Sequence, residues 1–109
     1  MPVTNITSLN EYNNLIKGNA PVILDFTSDW NSPSKIIYPV FESLSKKEEY
    51  GTFKFAKVDC DAQPDIAEEN QVKAYPTFAA YSKGNKVQEL VGASPQKLEN
   101  LVKGLKTLE

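Results

Sequence analysis

Val22-Ile23-Leu24 is the most apolar run in the chain, and it ends in Asp25-Phe26. A short, branched run with no polar face predicts a strand covered on both sides over residues 22–26. Before it, a short strand is expected over 4–7. Ser8-Leu9-Asn10-Glu11 then has the form of a capping box, in which Ser8 and Glu11 serve each other's backbone donors. Leu9, Tyr12, Leu15 and Ile16 recur with helical spacing up to Gly18. Beyond residue 26 the chain is polar until Ile36, Ile37, Val40, Phe41 and Leu44, a stripe expected to form one helix bent at Pro39, with a charged end over 45–50 closed by Gly51.

The second half repeats these signals. Phe53, Phe55 and Val58 predict a third strand. A short helix follows from Gln63-Pro64-Asp65, with Asp61 as its expected cap and Ile66, Ala67 and Val72 turned inward. Ala74-Tyr75-Pro76-Thr77 breaks the chain before a strand over 78–81, and Ser82-Lys83-Gly84-Asn85 reads as a hairpin turn into a strand over 87–91. Gly92 is expected to be a turn or bulge residue. Ser94-Pro95 caps a last helix with Leu98, Leu101, Val102 and Leu105 on one face. The order is βαβαβαββα. Alternation of strands and helices predicts an α/β domain over residues 1–109 whose sheet has helices on both faces, parallel pairs and an antiparallel edge from the terminal hairpin.

Composition narrows the function. The chain has 109 residues, a net charge of −2, no histidine and one cysteine, Cys60. An internal disulfide and histidine-dependent catalysis are therefore excluded, and a zinc or haem site lacks its usual ligands, so no metal or cofactor is expected. Without a basic patch, nucleic acid and anionic membranes are not expected partners. The first residues have neither the basic nor the apolar region of a signal peptide, and no run approaches the ~20 apolar residues of a membrane span, so a cytoplasmic protein is expected. Asn5-Ile6-Thr7 matches the glycosylation sequon and is taken as chance without a secretory signal.

The residues between Asp25 and Lys35 carry the functional question. A polar loop that leaves a buried strand and opens a helix is a common place for α/β chemistry. In this loop Trp30-Asn31-Ser32-Pro33-Ser34-Lys35 resembles the Trp-Cys-Gly-Pro-Cys-Lys motif of the thioredoxin family. The resemblance extends over essentially the whole chain: Asp25-Phe26 before the motif, Pro39 in the second helix, Lys57-Val58-Asp59, Tyr75-Pro76-Thr77-Phe78, and the glycines Gly84 and Gly92. It implies the thioredoxin fold, with a central mixed sheet and a cis peptide at Pro76. In the family the first cysteine attacks a substrate disulfide as a thiolate and the second resolves the mixed disulfide. Asn31 and Ser34 stand at those positions. An amide is no such nucleophile, and a serine hydroxyl without a base stays protonated, so no dithiol reductase activity is expected.

Several assignments follow from the resemblance. Asp25 and Lys57 match the family's buried acid and its lysine neighbour, read here as an inherited buried pair. Trp30, Asn31, Ser32, Pro33, Tyr75, Pro76, Gly92 and Ala93 match the groove in which backbone beside the cis proline pairs with an extended substrate, either as bare scaffold or as a retained protein-binding surface. Tyr75 is bulkier than the usual family residue there. Cys60 is either a small buried hydrophobe or a reactive thiol. The expected function is therefore a redox-inactive domain that binds or scaffolds a protein or peptide. The alternatives are a disulfide oxidoreductase of cell redox homeostasis, as a cysteine-substituted variant or a monothiol acting through Cys60, and a subunit whose fold serves only assembly.

Overall fold

A computed structural model describes residues 3–108. Its elements are β1 (Val3–Asn5), α1 (Leu9–Lys17), β2 (Val22–Thr27), α2 (Ser32–Ser45), β3 (Lys54–Asp59), α3 (Pro64–Glu69), β4 (Thr77–Ser82), β5 (Asn85–Val91) and α4 (Pro95–Lys106), with a 3₁₀ turn at Glu48–Tyr50. The five strands form one sheet in the order β1-β3-β2-β4-β5. β2 is central and every one of its residues is buried, as an unbroken apolar run requires.

Strand direction follows from helix length. β2 and β3 are parallel. The α2 helix of 14 residues between them rises about 21 Å, enough to return the chain along a strand of about 20 Å. The α3 helix has six residues and rises only about 9 Å, so the chain stays near the end of β3 and enters β4 from that side. β4 therefore runs antiparallel to β2, and the sheet is already mixed before the hairpin adds β5. Parallel pairing through the third helix, expected from alternation alone, is corrected by this short crossover.

Two apolar layers cover the sheet. On one face Ile23, Phe55 and Phe78 pack with Ile37, Phe41 and Leu44 of α2 and Leu98, Val102 and Leu105 of α4. The ring of Phe41 lies 5.4 Å from Phe55 and 5.7 Å from Phe78. On the other face Leu24, Phe26, Val58 and Ala79 pack with Tyr12 of α1 and Ile66 of α3. Asp25 lies two residues from Ile23, so the alternation of a strand places it on the α2 face.

Helix ends depart from the sequence reading at several points. α2 begins at Ser32 and ends at Ser45, with the 3₁₀ turn separate, and it runs through Pro39 as one helix. Its buried stripe is Ser34, Ile37, Phe41 and Leu44, which leaves Ile36 outside, 74% exposed. α3 is capped at Gln63 rather than Asp61, because Pro64 takes the first helical position and a cap directly precedes it. Asp61 accepts a hydrogen bond from the Ser28 hydroxyl at 2.6 Å instead. At α1 the Ser8 hydroxyl accepts from the Glu11 N–H at 3.0 Å, but the Glu11 carboxylate takes the N–H of Thr7 at 2.7 Å, one residue earlier than a capping box requires.

Candidate functional site

The loop after β2 turns into α2 through a side-chain cap. Asn31 is extended, and its Oδ1 accepts from the Ser34 N–H at 2.9 Å, with Pro33 in the first turn where its missing N–H costs nothing. The helix terminus, a place suited to stabilising an anion, is thus occupied by the neutral amide of Asn31. Ser34 is fully buried and its Oγ has no hydrogen-bond partner among the described residues. Neither position holds a thiol.

Trp30 is 68% exposed, and its ring meets Tyr75 edge-on, with centroids 5.7 Å apart and planes at 89°. The Tyr75–Pro76 peptide is cis. The N–H of Gly92 donates to the Pro76 carbonyl at 2.9 Å, which brings the β5 exit against the proline turn. Gly92 has φ +111, a conformation that a side chain would strain. The structure therefore brings Trp30, Pro33, Tyr75, Pro76, Gly92 and Ala93 to one end of the sheet. Val91, 59% exposed and paired with Thr77, adds apolar surface beside them, and Ile36, which the apolar stripe predicts in the core, is exposed on α2. Only the fold shows which side of the α2 stripe meets solvent.

Asp25 and Lys57 are partners in register on β2 and β3, yet they do not form the expected ion pair. The Lys57 Nζ lies 4.8 Å from the centre of the Tyr38 ring. Both Asp25 oxygens are buried without a hydrogen-bond partner among the described residues. Burial pushes the Asp25 carboxyl up to about 7, with the positive charge of Lys57 opposing in part. Lys57 remains the register neighbour of Asp25 and acts on it through its charge, but without a direct ion pair, because its ammonium lies over the Tyr38 ring.

Cys60 is 4% exposed and takes the place of a small core residue on the α1–α3 face. Burial, then the charges of Asp59, Asp61 and Asp25, pushes its thiol up to about 12, and a hydrogen bond with Tyr75 opposes this only in part. A thiol so placed is poorly ionised, the opposite of a reactive cysteine. Among the described residues there is no cluster of metal-ligating side chains, and no helix is long and apolar enough to cross a membrane.

A mixed five-stranded sheet with a capped turn facing a cis proline defines a thioredoxin fold, and sequence comparison agrees. The thioredoxin family model matches residues 3–106, and the chain belongs to the thioredoxin family. It is 44% identical to a thioredoxin of Coprinus comatus over 89% of this chain and 92% of that protein. It is 46% identical to a thioredoxin of Equus caballus over 81% and 82% of the two chains. The solved thioredoxin of Malassezia sympodialis superposes with a TM-score of 0.92 at 36% identity, covering 95% of this chain and 90% of that one.

Proposed function

We propose that this chain is a redox-inactive member of the family that recognises an extended protein segment through the groove of Trp30, Asn31, Ser32, Pro33, Tyr75, Pro76, Gly92 and Ala93. One observation carries the reading: a large exposed aromatic, Trp30, stands against Tyr75 beside the cis proline, although both thiols of that turn are absent. A solvent-facing indole contributes little to the fold, whereas an exposed aromatic beside a cis-proline turn suits recognition of an extended chain. The neutral cap at Asn31 and the buried Ser34 hydroxyl leave the turn without a nucleophile.

The relatives favour a second reading, disulfide exchange in redox homeostasis, which in this chain falls to Cys60 alone. Its burial and lowered acidity weigh against it. Two measurements test the proposal. With thioredoxin reductase and NADPH, the protein is expected to show no reduction of insulin disulfides; turnover abolished by Cys60→Ala would establish the second reading. Proteins retained on the immobilised chain are expected to be lost on Trp30→Ala and Tyr75→Ala variants, and equal retention by all three would reject the groove.

A further inference from the structure

The α2 face of the sheet holds a carboxyl group that no donor reaches, beside a cation that stays away from it. Asp25 is fully buried with both oxygens unpartnered among the described residues, while Lys57, its register neighbour, projects to the same face. A lysine stem is long and flexible enough to close that pair. Its ammonium lies instead over the ring of Tyr38, 4.8 Å from the centroid. Tyr38 sits one helical turn after Ser34, and its own ring rests against Phe41 at 6.3 Å, so the core holds the ring in place. We infer that Tyr38 is a positioning residue whose ring face holds the Lys57 ammonium away from the Asp25 carboxyl.

The surroundings offer few competitors. Lys57, Tyr38, Ser34, Lys35 and Asp29 line one cleft of about 180 Å³, Phe78 of β4 faces Asp25 without charge, and Glu42 acts on Tyr38 from the next turn of α2. An ammonium over an aromatic face gains from the electron-rich ring, more as it sheds its water. Such a gain suffices only while the competing carboxyl is neutral, and burial keeps Asp25 largely so below about pH 7. The consequence is a buried carboxyl on the α2 face of the sheet that is not tied up in an ion pair.

The test is the Asp25 titration followed by carboxyl ¹³C NMR. Tyr38→Phe keeps the ring and is expected to keep the midpoint. Tyr38→Leu fills the site without a ring face, releases Lys57 towards Asp25, and is expected to lower the midpoint by about one pH unit or more. In a Lys57→Gln background, Tyr38→Leu is expected to leave the midpoint where Lys57→Gln alone sets it. An unchanged midpoint in Tyr38→Leu overturns the inference, as does an equal drop with and without Lys57, which would assign the effect to water entry. The unsubstituted protein supplies an independent readout. The Lys57 ε-protons are expected upfield from the ring current of Tyr38, and ordinary lysine shifts would also reject the inference.

Discussion

Asp25 sets the pH response of the fold. Its folded value of about 7 lies above the value of about 3.9 for an exposed aspartate. Between these limits the unfolded chain has released its proton and the folded chain has kept it, so stability falls as pH rises from about 4 to about 7 and is level beyond. The full shift corresponds to up to about 4 kcal/mol. Asp25→Asn is expected to flatten this window and to be more stable than the parent at pH 8, read by urea denaturation at pH 4, 5.5 and 8; parallel profiles for the two proteins would contradict it. Asn31 acts on a smaller scale. Its cap on Ser34 is lost in Asn31→Ala, which is expected to lower stability by about 1 kcal/mol at any pH where Asp25 is constant.

Elements are joined on the α1–α3 face by a buried polar cluster. The Asn70 amide donates to the Tyr12 hydroxyl and to the Ile66 carbonyl, each at 3.0 Å, and accepts from the Tyr81 hydroxyl. One side chain thereby ties α1, the end of α3 and β4. Asn70→Ala leaves the Tyr12 and Tyr81 hydroxyls, 3.3 Å apart, only each other as partners and is expected to cost about 1–3 kcal/mol, measured by thermal or urea unfolding. A loss below about 0.5 kcal/mol would mean that the hydroxyls find other partners. Element identities were legible in the sequence wherever a period was sustained, as in the stripe Leu98, Leu101, Val102 and Leu105, all buried on α4. The start of α2 was not, because Ser32 to Lys35 carry no apolar period and the helix there depends on the Asn31 cap and Pro33. The Asn70 cluster escaped notice for a related reason: its members are far apart in sequence and ordinary in type.

At the scale of the molecule, the sheet separates two cores, and Cys60 belongs wholly to one of them. The residue is 4% exposed at the wall of a cleft formed with Pro64, Ala67, Val72 and Tyr75, so reagent meets its thiol poorly in the folded chain. Reaction of the native protein with a thiol reagent is therefore expected to be slow at pH 8, to complete at once in denaturing urea, and to follow global unfolding in between. Rapid native labelling would show a local opening at the end of β3 and revive a monothiol role. The groove is also a property of the whole molecule. Trp30 comes from the β2–α2 loop, Tyr75 and Pro76 from the approach to β4, and Gly92 from the exit of β5. Sequence patterns alone do not place these segments together, and they were joined in advance only through the family resemblance.

By itself the sequence determined the element order, the family, the apolar stripes and the absence of a dithiol, because periodicity, turn residues and side-chain chemistry are local properties. Tertiary structure decided whatever depends on distance between segments. It made β4 antiparallel because a six-residue helix cannot span the sheet. It turned Ile36 to solvent because only one side of α2 meets the sheet. It set Lys57 over Tyr38 rather than against Asp25, because a flexible ammonium settles where ring and carboxyl compete in three dimensions.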